Sequence, residues 1–118
     1  MIDLDPLSER EYIALIAQRP GMFTGGVTYE RMAQFLNGYD FGTQRAGGPG
    51  FIGLRNWLLG QLGHSSNLVW TSIVLQIAFP GEDLQPGTLP PEQDEHALSL
   101  LFALLDEFLA ERDGADES

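Results

Sequence analysis

Few side chains in this sequence could do chemistry. It contains two histidines, His64 and His96, and no cysteine. His64 lies in Gly63-His64-Ser65-Ser66, so an imidazole adjoins two hydroxyls. Nucleophilic catalysis needs such a pair held in hydrogen-bond geometry with a third group orienting the base, and adjacency in sequence supplies neither. A solvated turn is the simpler reading. His96 follows Glu92 by four residues, a spacing that puts both on one helix face and can hold a metal. No third ligand accompanies them, so the two read as a surface side-chain pair. The acids Glu82-Asp83, Asp94-Glu95 and Asp106-Glu107 are neighbours in sequence, and neighbours on a helix point apart. General acid catalysis needs one carboxyl raised by burial, and these read as solvated faces. There is no phosphate-binding glycine loop and no dinucleotide fingerprint. The sequence therefore predicts no catalytic residue, no metal site and no cofactor. It points to a protein that binds.

The charge balance says what it would bind. The 118 residues carry 17 acids against 6 bases, a net charge of −11, and every base is arginine. Residues 1–58 hold 6 acids and 5 arginines, net −1; residues 59–118 hold 11 acids and 1 arginine, net −10. Such a field repels phosphate backbones and anionic lipid, which argues against nucleic acid and membrane surfaces as partners. A protein with a basic surface fits better. The acidic N-terminus is unlike a secretory signal, and no apolar run approaches the roughly 20 residues that span a bilayer. The expectation is a soluble, cytoplasmic protein.

These side chains need a scaffold, and 118 residues suit one domain with one core. The periodicity predicts an all-α bundle of about five helices. Ser8 and Glu11 have capping-box spacing, and Leu7 and Tyr12 that of a hydrophobic staple. The helix they open ends near Arg19, before Pro20-Gly21. A second helix starts at Thr28, with Val27 and Met32 as its staple, and stops at Asn37-Gly38 or Tyr39. Residues 40–50, with four glycines and Pro49, read as a flexible loop. Phe51 to Leu62 forms a third helix ending at Gly63; Gly53 and Gly60 weaken it, or let a neighbouring helix approach. Residues 67–79 fit helix and strand patterns alike, but a lone strand has nothing to pair with, so helix is preferred. Ser66 or Asn67 would cap it and Pro80-Gly81 close it. After an irregular loop over 80–91, Pro91 opens a helix so broadly apolar from Ala97 to Leu109 that it belongs at the centre of the bundle. Residues 113–118 read as a frayed tail.

The aromatic residues divide. Trp57 and Trp70 lie in apolar helical stripes and read as core. Tyr39 and Phe41 flank the glycine loop and are candidates for a binding surface. Arg19-Pro20-Gly21-Met22-Phe23 resembles a short stretch of the ATPase domain of type II topoisomerases, but no nucleotide site accompanies it; it reads as a helix stop and turn.

A longer pattern runs over residues 10 to 110. A short helix ends in Arg-Pro-Gly-Met-Phe-Thr-Gly. Phe35-Leu36-Asn37-Gly38-Tyr39, a glycine-rich loop and a tryptophan-bearing helix follow, then Asn67-Leu68-Val69-Trp70 and a closing Leu-Leu-Asp-Glu-Phe-Leu. This resembles small bacterial immunity proteins of polymorphic and contact-dependent toxin systems. The resemblance implies a stoichiometric inhibitor of a toxin domain made by the same cell. Where the toxin is a nuclease, an acidic surface could occupy the cleft built for phosphate. Charge clustering, independently of the family, nominates Glu82, Asp83, Glu92, Asp94 and Glu95 for that contact, with Tyr39 and Phe41 beside them. The alternative is a non-catalytic binding or scaffold module of another kind, which would expose an apolar patch and form a dimer.

Overall fold

The structure is a computed structural model that describes residues 8–18, 28–82, 84, 87 and 89–116. Five helices follow in order: α1 (Glu9–Gln18), α2 (Tyr29–Arg45), α3 (Leu54–Leu62), α4 (Trp70–Ala78) and α5 (Pro91–Asp116). Among the described residues there is no strand, so the expected all-α bundle is the observed architecture. Among the described residues, no helix is long and apolar enough to cross a membrane. The expected end of α1 at Arg19, the turn over residues 20–27 and the two staples fall on residues outside those described.

α5 is the spine. Ala97, Leu98, Leu101, Leu104, Leu105, Phe108 and Leu109 are all buried, and every other helix adds to the same core. α1 lies antiparallel to it. Arg10 meets Asp106 near one end of the pair, while Ile13, Ala14 and Ala17 face Phe102 and Ala103 further along. α2 runs in the same direction as α5: Asp94 bonds Tyr29 at its start, and Glu9 bonds both Tyr39 of α2 and Arg112 of α5 at the far end.

α1 starts as its capping box requires. Ser8 Oγ accepts from Glu11 N at 3.1 Å and Glu11 Oε1 accepts from Ser8 N at 3.2 Å. That backbone bond, followed by the hydroxyl, holds the Glu11 carboxyl below its ordinary range. Thr28 caps α2 by accepting from Arg31 N at 3.1 Å.

α2 then passes through the expected stop at Asn37-Gly38 and ends at Arg45. Gly38 and Gly42 each cost helix stability, but the neighbouring side chains are anchored. Asn37 Oδ1 accepts from Trp70 Nε1 at 2.9 Å. Asp40 Oδ1 accepts from Gln44 Nε2 at 2.7 Å and from Phe51 N at 2.6 Å. Much of the expected flexible loop is therefore helix, and its end is tied down. A Cβ on Gly50, whose φ is +51°, would come within 2.5 Å of Asp40 Oδ1, so only glycine fits.

α3 begins at Leu54, three residues later than the pattern suggests, because Gly53 takes φ 90° as its N-cap. Gly63 ends it as expected, also left-handed. A Cβ on Gly60 would meet nothing within 4 Å, so this glycine brings no helix close.

The expected cap at Ser66 or Asn67 is not used. Val69 is the N-cap of α4 and provides no side-chain bond, while Ser66 Oγ accepts from Leu68 N instead.

α3 and α4 lie side by side and point the same way. Their starts meet where the Phe51 ring stands edge-on to Trp70 at 5.8 Å and Arg55 donates to the Leu68 and Ser66 carbonyls at 3.0 and 2.6 Å. Their ends, at Gln61-Leu62 and Gln76-Ile77, line one depression. The nine residues of α3 rise about 13 Å. The seven-residue link from Gly63 to Val69 can retrace that length when extended. α5 runs on through Asp113 and Gly114 to Asp116, so residues 113–116 continue the helix where a frayed tail was expected.

Candidate protein-binding surfaces

The two ends of the α3/α4 pair carry different chemistry. At the end where both helices begin, polar groups are engaged by the fold. Arg112 Nη1 donates to Glu9 Oε1 at 2.8 Å and to the Gly50 carbonyl at 3.1 Å. The Glu9 side chain is only 9% exposed, so this pair is largely desolvated. Burial works against the Arg112 charge, but the bond and the nearby charge of Glu9, with Asp113 beyond, hold its pKa above the ordinary value. Trp57 Nε1 donates to Glu111 Oε2 at 3.0 Å while its ring stands edge-on to Phe108.

Tyr39 belongs to this end. It stacks on Tyr12 at 5.3 Å, packs against Phe51 at 5.6 Å and donates its hydroxyl to Glu9 Oε2 at 3.0 Å. Burial, then the Glu9 bond and charge, push its pKa up to about 12. A half-buried side chain held this way joins α2 to α1.

Phe41 is different. It is 64% exposed, with the Arg45 guanidinium 5.8 Å from its ring centre. Ile52 (63%), Val69 (64%) and Leu68 (40%) are exposed too. Each adjoins an anchored residue of the same cluster: Ile52 follows Phe51, Val69 precedes Trp70, and Phe41 is one turn beyond Asn37, the acceptor for Trp70. Exposed apolar side chains are candidates for an interaction surface where they lie close together. The Phe51–Trp70 contact brings the chain segments that carry Ile52, Leu68 and Val69 near one another.

The opposite end is acidic. The Phe79 ring lies 5.4 Å from that of His96, which brings the start of α5 beside the end of α4. Glu82, Glu92 and Glu95 are exposed there, with no ion pair among the described residues. Asp94, nominated with them, turns inward and accepts from Tyr29 N at 2.7 Å. It satisfies one of the first N–H groups of α2 and faces the positive end of its dipole. Of the five acids nominated by charge clustering, Asp94 is thus one that the fold itself uses. Asp83 lies outside the described residues. Tyr29 itself is fully buried and donates its hydroxyl to the Thr71 carbonyl; burial drives its pKa far up.

Between the ends of α3 and α4 opens a depression of about 620 Å³ lined by Gln61, Leu62, His64, Gln76, Ile77, Pro80, Gly81 and Glu82. His64 is exposed, with Nδ1 3.0 Å from the Ser65 carbonyl. Gln76 Oε1 is buried without a hydrogen-bond partner among the described residues. A second depression, of about 710 Å³, lies at the start of α2 and mixes charges of both signs, Glu30 and Asp94 with Arg31. Among the described residues no three of His, Cys, Asp and Glu are grouped to hold a metal. No protein-family model matches the chain, and comparison with curated proteins and solved structures finds no match either.

Proposed function

We propose that this chain is an immunity protein, which neutralises a cognate toxin domain by binding it one to one and covering a basic active-site cleft. The reading rests on the sequence resemblance and is supported chiefly by one structural observation. Glu82, Glu92 and Glu95 stand exposed at one end of a rigid bundle with no arginine partner among the described residues. Glu92 and Glu95 lie in the first turns of α5 and Glu82 just beyond α4, so they need little backbone ordering to stand in for substrate phosphates. Complementary fields also speed association. The partner is a protein in the same cytoplasm, a nuclease being the toxin class whose cleft suits this charge.

The test is co-expression. Cells making the toxin encoded by the adjacent gene survive when this chain is present, and the two proteins purify as a one-to-one complex. Loss of both rescue and complex overturns the reading.

The apolar cluster of Phe41, Ile52, Leu68 and Val69 favours a second reading, a binding or scaffold module that self-associates through that face. Sedimentation separates the two: a monomer at low micromolar concentration supports the inhibitor, and a dimer lost on Ile52→Ser or Val69→Ser supports the module.

A further inference from the structure

The depression between the ends of α3 and α4 holds one carboxylate, Glu82, and no arginine, beside the amides of Gln61 and Gln76 and the imidazole of His64. Each helix brings the negative end of its dipole and its last unbonded carbonyls to this place. Neither helix has a basic residue in its last turn to offset them. Two half-charges from the dipoles and the Glu82 carboxylate sum to roughly two negative charges around one opening. Gln76, on the wall, holds a buried oxygen that no donor among the described residues satisfies. An orphan acceptor of this kind costs stability unless a ligand completes it. Leu62, Ile77 and Pro80 give the lining an apolar part beside the polar Gln61 and His64.

We propose that this pocket receives an arginine or lysine side chain of the protein partner. The aliphatic stem lies along Leu62, Ile77 and Pro80, and the cationic head donates to Glu82, to the helix-end carbonyls and to Gln76 Oε1, which turns to meet it. Charge-assisted hydrogen bonds in a partly desolvated pocket are the stronger kind. A metal ion suits the site poorly, since only His64 and Glu82 could ligate it and no third such residue is grouped with them among those described. The depression at the start of α2 is no competitor, because Arg31 on its wall opposes a cation. This inference rests on the immunity reading for the identity of the partner, but the pocket's preference for a cation can be tested without the toxin.

The experiment is an NMR titration of the full chain with capped tripeptides, acetyl-Gly-Xaa-Gly-amide, where Xaa is arginine, lysine or norleucine, with agmatine as a free cation. The arginine and lysine peptides should bind weakly, on the order of millimolar. They should move the amide signals of Gln61, Leu62, His64, Gln76, Ile77 and Gly81, and norleucine should not. Glu82→Gln should weaken the arginine peptide about tenfold, the loss expected for one charge-assisted bond. Gln76→Leu should weaken it less while leaving the fold intact. Three results would overturn the proposal: equal binding of norleucine, shifts spread over all carboxylates and indifferent to Glu82→Gln, or agmatine binding much more tightly than the peptides. A negative titration beside intact toxin rescue removes the pocket and leaves the immunity reading standing. A positive titration beside failed rescue does the reverse.

Discussion

The molecule spends its charges differently at its two ends. Where α1, α3 and α4 begin and α5 finishes, Glu9, Arg112, Asp40 and Glu111 are tied to named partners in other parts of the chain. Where α3 and α4 finish and α5 begins, Asp94 alone of the nominated acids among the described residues is tied, and Glu82, Glu92 and Glu95 face solvent. Acidity by itself therefore does not mark a binding surface. On the proposed reading, the partner meets the end whose nominated carboxylates the fold leaves to solvent.

Mutations should break that contrast at the first end and spare it at the second. The largest loss is expected for Arg112→Met, which strands the nearly buried Glu9 carboxylate and frees the Gly50 carbonyl. Removing one partner of such a pair costs about 3 kcal/mol, read as a lower midpoint in urea unfolding. Gly50→Ala should cost about 2 kcal/mol in the same assay, since it strains the backbone and drives a methyl into Asp40. A flexible loop would tolerate it. Asp94→Ala should cost about 1 kcal/mol, because it takes the acceptor from the Tyr29 N–H while Thr28 still caps α2, and hydrogen exchange should rise in the first turn of α2. Glu82→Gln, Glu92→Gln and Glu95→Gln should each change stability by no more than about 0.5 kcal/mol. Together they should slow association with a basic partner about tenfold at low salt.

Arg10 and Asp106 give the smallest effect. Their side chains are 48% and 50% exposed, so solvent screens the pair. The hydrogen bond from Arg10 holds the Asp106 carboxyl below its ordinary range. A carboxyl lowered in the folded state adds stability above its unfolded pKa, about 3.9, and loses it as pH falls through the folded value. Asp106→Asn should thus lower the melting temperature slightly at pH 7 and not at all in strong acid.

Much of the architecture was legible because its signals are local. The Ser8/Glu11 box, the Gly63 stop and the apolar breadth of α5 each depend on residues within a few turns, and each is where the spacing put it. The errors have the opposite character. α2 outruns Asn37-Gly38 because Trp70 and Phe51, far along the chain, hold Asn37 and Asp40. Asp94 reads in the sequence as one of five equivalent acids, and only the α2 start brought against it sets it apart. Tyr39 and Phe41 are two residues apart and read alike, yet helix geometry turns one into the Tyr12–Phe51 cluster and the other to solvent. The pocket needs α3 and α4 to run side by side in the same direction, which no local pattern specifies.

The central claim is that binding takes place at the acidic end. Hydrogen–deuterium exchange on the complex with the toxin tests it directly. The account predicts slowed exchange in residues 61–64, 76–82 and 91–96, with the surface around Phe41, Ile52 and Val69 unchanged. Slowed exchange confined to the surface around Phe41, Ile52 and Val69 would contradict it.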